Sequence, residues 1–274
     1  MKKFELTSEF MVNIFGIKLF RIQALVSFGR VKAGEQGGYV EKEENLSQIG
    51  DAWVFGNAQV FGNAKVYGDA EVFGNAQVYG DAKVFGNTKV SDNAKVYGNA
   101  EVYGDAEVFD DAWVSGNAKV YGNAKVYGDA QVFGDAKVFG NAKVFGNAEV
   151  FDDAWVSSNA WVYGNTEVSG NAKVFGNAEV YGNAEVYGDA EVSDNADYAT
   201  VKGFGRFNRN TTFFRCKGGK VCVVCGCFFG DLEEFRAIVK RTHGDGRMAK
   251  EYLAIADLME MHFKDERSNS NDHA

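Results

Sequence analysis

The chain has 274 residues, of which 46% are hydrophobic, so it can bury a sizeable core. No apolar run approaches the ~18 residues of a membrane-spanning helix, no signal-like stretch opens the chain, and the four cysteines lie close together, so we expect a soluble cytoplasmic protein without a disulfide framework or a membrane partner. With 33 glycines and no proline, the turns must be made by one repeated glycine device.

Residues 1–49 are predicted to form an N-terminal β cap. Two apolar strand candidates lie around residues 10–17 and 17–27, and a glycine-rich turn follows at 34–38. Val40 and Leu46 then begin an imperfect version of the repeat that fills the middle of the chain.

Residues 50–199 consist of 25 consecutive hexads without an insertion. The pattern is Gly, Asn or Asp, Ala, a variable residue, Val, and an aromatic residue. Its third place is Ala except at Thr88 and Thr166, and its fifth is Val except at Tyr198. A glycine at every sixth residue excludes a helix, whereas alternation places Ala and Val on the inside of a strand and places four and six outside. We predict a triangular parallel β-solenoid of about eight coils, each coil being three hexads stacked at the spacing of hydrogen-bonded strands.

The solenoid is predicted to be acidic. Residues 50–199 hold nine lysines, no arginine and 22 acidic residues, a net charge of −13. This charge argues against a nucleic-acid partner, because such binding depends on neutralising phosphates. The pairs Asp110-Asp111 and Asp152-Asp153 fall where the first-place glycine is replaced, so we interpret them as turn residues.

Nineteen of the 25 sixth-place residues are Phe or Tyr. Residues 18 apart should stack, so these side chains form three columns: a first face from Phe55 to Tyr181, a second from Phe61 to Tyr187 and a third from Tyr67 to Ser193. Tyr103 and Tyr121 lie in the middle of the third column. Such ladders either stabilise the solenoid alone or also form an apolar contact surface, and we expect a homo-oligomer, dimer or trimer, or a docked protein partner.

The four tryptophans, Trp53, Trp113, Trp155 and Trp161, all occupy the fourth place of a hexad. Each is interpreted either as an extra packing anchor or, with nearby lysines, as a contact for a small anionic aromatic ligand such as a nucleotide. We include all four among the candidate partner-binding residues.

After residue 199 the period stops, and residues 200–263 are predicted to form a ββαα module. Segments 211–215 and 220–228 flank a Gly218-Gly219 turn, Asp231 is a helix N-cap, and a break at 244–246 precedes a second helix ending near residue 263. The polar tail, 264–274, is predicted to be disordered. The module either caps the last coil or recognises a partner, and in the second case the basic candidates are Arg206, Arg209 and Arg215.

The cysteines at 216, 222, 225 and 227 do not predict a metal site. If 220–228 is one strand, Cys225 and Cys227 share a face and Cys222 takes the other, so four ligands cannot converge. We interpret all of them as small hydrophobic side chains.

The hexad resembles the left-handed parallel β-helix superfamily of hexapeptide-repeat proteins, best known from acyltransferases. The flanking segments Phe4-Glu-Leu-Thr-Ser, Phe20-Arg-Ile-Gln-Ala-Leu, Val31-Lys-Ala-Gly-Glu-Gln-Gly-Gly-Tyr-Val-Glu and Glu44-Asn-Leu-Ser resemble phage and prophage hexapeptide-repeat proteins with a YdcK-like N-terminal half. The resemblance implies a left-handed solenoid and a phage-encoded protein that acts in the host cytoplasm.

Hexapeptide acyltransferases use a histidine base, whereas this chain has only His243, His262 and His273, none of them in the repeat. We therefore expect no catalytic residues, no cofactor and no metal. The predicted function is a noncatalytic oligomeric scaffold that binds a protein, and the phage resemblance suggests an inhibitor of a host defence factor. One alternative is a sponge that holds a nucleotide or similar ligand between subunits. Another is an acyltransferase with an unusual base.

Overall fold

The glycine-containing turns shape the molecule. In the computed structural model, which describes residues 1–205 and 208–264, the first-place glycines of the hexads have positive φ, for example 78° at Gly104. Asp92, Asp110, Asp152 and Ser158 replace glycine at this place and also have positive φ, between 56° and 59°. The interpretation of the two aspartate pairs as turn residues is therefore confirmed.

Between these turns lie 24 short strands, β4–β27, which follow one another every six residues from Trp53–Val54 to Glu191–Val192. Each covers the fourth and fifth places of a hexad, and Lys143–Gly146 and Trp161–Gly164 run on by two residues. Strands three apart pair in parallel and in register, so the hexads form three parallel sheets. The backbone bonds run from coil to coil, as from Lys83 N to Ala100 O at 2.9 Å.

The interior of the solenoid is lined with alanine and valine. The third-place alanines and fifth-place valines are buried, and Thr88 and Thr166 are buried at the same inward positions. Each of these threonines donates its hydroxyl to a nearby carbonyl oxygen, that of Phe85 or of Tyr163, at 2.7 Å. The predicted inward and outward alternation is confirmed.

The N-terminal cap is an antiparallel extension of one solenoid sheet. Strand β1 is Phe4–Val12, β2 is Lys18–Ala24 and β3 is Gln36–Val40, which pairs in parallel with Gln59–Val60. The predicted strand around 17–27 is confirmed as β2, but the one around 10–17 is wrong, because residues 13–16 form the hairpin turn and β1 begins at Phe4.

An imperfect first coil lies between the cap and the hexads. Val40 stacks beneath Val60 and Leu46 beneath Val66, with the short 3₁₀ helix Glu43–Asn45 between them, so the predicted imperfect coil is confirmed. Because this coil contributes β3, its sheet has nine parallel strands in addition to the antiparallel β1 and β2, whereas each of the other two solenoid sheets has eight strands. The number of coils is thus about nine, one more than the hexads alone predict.

The C-terminal module has four antiparallel strands rather than two. A second 3₁₀ helix, Asn195–Asp197, precedes it, and its strands are β28 (Tyr198–Phe204), β29 (Arg209–Arg215), β30 (Val221–Cys225) and β31 (Phe228–Asp231). The predicted hairpin around Gly218 is confirmed, but the predicted strand 220–228 breaks at Gly226, and β28 was missed. Helices α1 (Leu232–His243) and α2 (Arg247–Lys264) follow, and Asp231 caps α1 as predicted.

The C-terminal sheet packs against the solenoid with one face and against the two helices with the other. Phe214, Cys222 and Val224 belong to the same core as the solenoid, whereas Phe213 and Val223 pack among the helices. Lys217 N donates to Asp189 O at 2.9 Å, which joins the sheet to the last complete coil. The module therefore covers the end of the solenoid. Within the described residues, neither helix has the length and apolarity to span a membrane. Of the tail predicted to be disordered, 264–274, Lys264 is the last residue of α2, and residues 265–274 lie outside the described part.

Candidate interaction surfaces

The sixth-place rings form the predicted ladders. On the third face, Tyr67, Phe85, Tyr103, Tyr121 and Phe139 stack in one unbroken run with ring centroids 4.8–5.0 Å apart and nearly parallel planes. Each ring is only partly exposed, and burial raises the pKa of the Tyr121 hydroxyl. Much of the apolar area of each ring is therefore covered by the rings above and below it.

Charges in the fourth-place column of the third face neutralise one another along the stack. Glu101 lies between Lys83 and Lys119 with both N–O distances at 3.0 Å. Hydrogen bonds from these two lysines hold the pKa of Glu101 below its usual value. The whole column still has five lysines against two glutamates, so this column is basic within an acidic solenoid.

On the second face, three glutamates stand in successive coils. Glu149, Glu167 and Glu185 are paired neighbours in the sheet, and burial together with the charge of Glu167 raises the pKa of Glu185. Like charges this close repel one another. The fourth-place columns of the second and third faces therefore have net charges of opposite sign.

Three of the four tryptophans are accessible and lie beside lysines. Trp113, Trp155 and Trp161 are 37–39% exposed. The ammonium of Lys137 lies 4.7 Å from the ring centroid of Trp155, and that of Lys173 lies 5.8 Å away on the next coil. These are cation–π contacts, which stabilise exposed rings by roughly 0.5–1 kcal/mol.

Trp53 is not a surface residue, which corrects its place among the partner-binding candidates. It is fully buried, with Phe4 and Phe28 packed edge-on against its ring at 6.1 and 5.3 Å. The N-terminal cap covers it because Trp53 lies in the first coil, directly beneath the hairpin. Trp53 therefore belongs to the packing between cap and solenoid.

The three candidate arginines have different surroundings. Arg206 lies outside the described residues. Arg215 makes a structural contact rather than a surface one, since its Nε lies 2.8 Å from Oδ1 of the buried Asp197 and its Nη2 donates to Phe263 O. Arg209 is exposed at the start of β29 and lines a groove in the C-terminal module.

This groove, the head groove, has a volume of about 370 Å³. It is lined by Arg209, Cys225, Cys227, Phe228, Phe235, Ile238, Val239, Thr242, His243 and Tyr252. Most of its wall is apolar, and burial raises the pKa of the Tyr252 hydroxyl to about 12. Sequence reasoning did not find this groove, because its residues come from three strands and two helices.

The cysteines divide into two pairs. Cys216 and Cys222 form a disulfide across the Gly218-Gly219 turn, so the interpretation of all four as unpaired small hydrophobic side chains is wrong for these two. Cys225 and Cys227 are free thiols beside the head groove. Among residues 1–205 and 208–264, no group of His, Cys, Asp or Glu side chains is arranged to hold a metal ion.

The N-terminal hairpin, which sequence reasoning assigned only a capping role, carries several exposed large apolar side chains. Phe10, Val12 and Ile14 are 52%, 58% and 86% exposed. Phe15, at the turn, packs on the ladder of the second face, with ring centroids 5.8 Å from both Phe61 and Tyr79. The signal was present in the apolar run at residues 10–17, which the solenoid itself has no room to bury.

No protein-family model matches the chain, and no curated protein matches it either.

Proposed function

We propose that the protein is a noncatalytic, oligomeric β-solenoid scaffold that binds a protein partner. The observation that carries the proposal is the exposed apolar hairpin at the N-terminal end, next to an open sheet edge. Monomeric soluble proteins rarely leave a contiguous apolar patch of this kind uncovered, and such patches typically mark protein contacts.

The sheet edge strengthens this argument. Within the described part of the chain, strand β1 is the terminal strand of an 11-stranded sheet and has a neighbour, β2, on one side only. Free backbone N–H and C=O groups on such an edge can pair with another strand. Phe10 and Val12 lie on this same strand, so a protein that paired with β1 would also cover their side chains.

A second copy of the chain fits this surface first. In a two-fold contact the same patch faces itself, so two hairpins would cover each other's apolar side chains and provide each open edge with a partner. The exposed apolar residues of the hairpin lie at the N-terminal end of the solenoid, several coils from Glu149, Glu167 and Glu185 on the second face, so self-association there brings few like charges together.

Replacing Val12 and Ile14 with lysine tests this contact. The wild-type protein should elute as a dimer or trimer in size-exclusion chromatography with light scattering at micromolar concentration. The V12K/I14K double variant should be a monomer, because two buried ammonium groups per copy would lack partners. Leu258→Lys, at an equally exposed apolar position on α2, is the control and should keep the wild-type mass. A monomeric wild type, or a double variant of unchanged mass, would contradict the proposal.

The third face is the surface we assign to a different protein. It combines an unbroken run of stacked rings with a basic fourth-place column, and tyrosine and tryptophan are enriched at protein interfaces. A partner with an acidic surface would complement it. The resemblance of the flanks to phage and prophage proteins supports a host protein, such as a defence factor, as that partner.

The test for this partner uses charge reversal. A host protein that copurifies with the wild type should be lost with Lys137→Glu/Lys173→Glu on the third face and retained with Lys89→Glu on the first. The absence of any specific host protein, or equal capture by both variants, would refute this part of the proposal.

A ligand sponge is the second candidate function, favoured by the position of Trp155 between Lys137 and Lys173. An indole with an ammonium group on the coil before it and another on the coil after it can hold a flat anionic molecule such as a nucleotide. Native mass spectrometry of gently purified protein distinguishes the two functions, since a sponge retains stoichiometric small molecules and a protein-binding scaffold does not.

An acyltransferase remains the third candidate. Within the described residues its base would be His243 at the head groove or His262 on α2, both outside the solenoid. Incubation with acyl-CoA and a panel of amines should release no free thiol, and a protein-dependent release would replace the scaffold proposal with this one.

A further inference from the structure

The aromatic ladder of the first face ends at a ring with one open side. Five rings stack in one run with centroids 4.8–5.2 Å apart, those of Phe109, Tyr127, Phe145, Tyr163 and Tyr181. The next place in this column, 18 residues after Tyr181, is taken by Ala199, whose methyl group cannot cover a ring. Tyr181 is accordingly 50% exposed, whereas Tyr163, one coil before it, is only partly exposed.

The second face shows a ladder end that the protein itself covers. Its last ring, Tyr187, lies in the same coil as Tyr181, and Phe229 of β31 packs on it with ring centroids 4.8 Å apart, which is the spacing within the ladders. Among the described residues, no ring stacks on the open side of Tyr181, and the ring of Tyr198 stands nearly perpendicular to it at 6.4 Å. The space beside Tyr181 can therefore accept a flat group.

A pocket of about 360 Å³ lies at this open end, within the usual range for small-ligand sites. We call it the ladder-end pocket, and it is lined by Tyr163, Glu179, Tyr181, Asn195, Tyr198, Ala199 and Thr200. It forms where the chain leaves the solenoid, between the strand Glu179–Val180, the 3₁₀ helix Asn195–Asp197 and β28. Oδ1 of Asn195 accepts from the backbone N of Glu179 at 2.7 Å, which fixes two sides of the pocket to each other.

The ladder-end pocket has a negative charge without a cation. Glu179 is the one charged residue among those that line it, and within the described part of the chain its carboxylate has no ion pair, whereas Glu191 of the same coil lies 3.6 Å from Lys173. Burial and the charge of Glu179 raise the pKa of the Tyr163 hydroxyl, and the pKa of Tyr198 is raised by burial with a contribution from the same carboxylate. The carboxylate therefore lies close to both phenols.

Glu179 and Tyr181 point out of the same side of one extended segment, two residues and about 7 Å apart. A small ligand can therefore touch both side chains at once. A guanidinium group suits this pair, because it is flat, stacks on aromatic faces and offers paired N–H donors that match a carboxylate. An ammonium group has the charge without the plane.

We propose that the ladder-end pocket binds a small alkylguanidinium, which stacks on the open side of Tyr181 and pairs with the carboxylate of Glu179. This site stands independently of the protein-binding proposal, since it uses no residue of the hairpin or of the third face. It predicts a preference for charge and for planarity together, which three probes of similar size can measure.

The probes are butylguanidinium, butylurea and butylammonium, titrated into the full-length protein and followed by ligand-observed NMR. Butylguanidinium should bind saturably and at least about tenfold more tightly than butylurea, which has the same flat shape but no charge to pair with Glu179. Butylammonium should also bind more weakly than butylguanidinium, because it cannot stack. No saturable binding of butylguanidinium, or an affinity equal to that of either other probe, would overturn the proposal.

Variants locate the site. Glu179→Gln should abolish the preference for butylguanidinium over butylurea, and Thr200→Trp, at an exposed position of the lining, should fill the pocket and weaken butylguanidinium at least about tenfold. Glu185→Gln is the matched control, because Glu185 holds the same hexad place in the same coil beside the covered ring of Tyr187, and it should bind as the wild type does. An unchanged preference in Glu179→Gln, or equal losses in the two glutamine variants, would refute the site.

The tyrosine rings give a second readout. In protein with ¹³C-labelled tyrosine rings, the Tyr181 resonance is assigned by its loss in Tyr181→Phe, and that of Tyr187 in the same way. Saturating butylguanidinium should shift the Tyr181 resonance and leave that of Tyr187 in place, because Phe229 already covers the Tyr187 ring. Equal shifts at both rings, or a shift at neither, would contradict the proposal.

Discussion

Single residues at the turns control whether successive coils can stack. Most first-place glycines combine a positive φ with close approach to the backbone of the next coil, and a Cβ at Gly104 would lie 2.9 Å from the N atom and 3.1 Å from the O atom of Gly122. Gly16 in the N-terminal hairpin has nearly the same φ, 75°, but a Cβ there would meet nothing within 4 Å. A side chain at Gly16 would therefore suffer backbone strain alone, whereas one at Gly104 would also collide with the next coil.

Substituting alanine at each glycine tests this separation. Gly16→Ala should cost about 1 kcal/mol through φ alone, whereas Gly104→Ala should cost roughly 2–4 kcal/mol because the neighbouring coil must also shift. Denaturant midpoints followed by circular dichroism measure the difference. Equal shifts for the two variants would show that the coils do not constrain each other at the turns.

The hexad positions were predictable residue by residue, because a period of six determines which side chains face inward. Residues whose role depends on a distant segment were not. Trp53 was expected on the surface because the hexad places it there, but the hairpin that covers it is remote in sequence. Arg215 was grouped with surface arginines because nothing local shows that Asp197 lies opposite it.

At the scale of strands and columns, the ladders join coils that share no covalent neighbour. Stacked rings make up one kind of column, and second-place amides make up another that sequence reasoning missed. Asn141, Asn159 and Asn177 form a chain in which each amide donates to the next Oδ1 at 3.1 Å. Each such column ties every coil to its neighbours at the surface as well as through the backbone.

Substitutions at Phe85 and Phe175 would show how much ring stacking contributes to the stability of the solenoid. Both are partly exposed on the third face, but Phe85 stacks on Tyr67 and Tyr103, whereas the column neighbours of Phe175 are Ser157 and Ser193. Phe85→Ser should therefore lower the unfolding free energy by about 1–2 kcal/mol more than Phe175→Ser. Calorimetric melting of the two variants tests this, and equal losses would mean that the stacks add nothing beyond burial.

The elements outside the repeat were harder to predict. The solenoid strands follow from a period with no insertion, whereas β1, β2 and β28 lie outside that period, and the turn between β1 and β2 falls inside the apolar run at 10–17. The break at Gly226 was missed because a run of valine and cysteine reads as one strand. The two helices were predictable since Asp231 and Gly244 mark their limits locally.

For the whole molecule, stability depends on how the ends are closed. The C-terminal sheet is held to the solenoid by the ion pair of Arg215 with Asp197, both largely buried, and by the bond from Arg215 to the end of α2. Asp197 also accepts from Ser193 and Asp194 in the last hexads. The Arg215 side chain thus joins the end of the solenoid, the C-terminal sheet and helix α2.

Removing the Arg215 guanidinium should weaken the attachment of the C-terminal module to the solenoid. Arg215→Met removes the ion pair with the buried Asp197 carboxylate and the hydrogen bond to Phe263 O, which we expect to cost about 3–5 kcal/mol. Arg236 is the control, because it bridges the exposed Asp257 and the part-exposed Glu260, and Arg236→Met should cost at most about 1 kcal/mol. Hydrogen exchange of β28–β31 and thermal melting report the effect, and equal stability of both variants would refute this role of Arg215.

Equivalent residues of successive coils are 18 positions apart, and this regular spacing determines how the length of the solenoid can change. Because each coil presents the same edge to the next, adding or deleting one whole coil changes the separation between the hairpin and the head by about 4.8 Å and leaves the contacts at either extremity intact. The solenoid is in this respect a spacer with discrete lengths. Duplication within the gene can adjust how far apart two bound molecules are held without redesigning the surfaces that hold them.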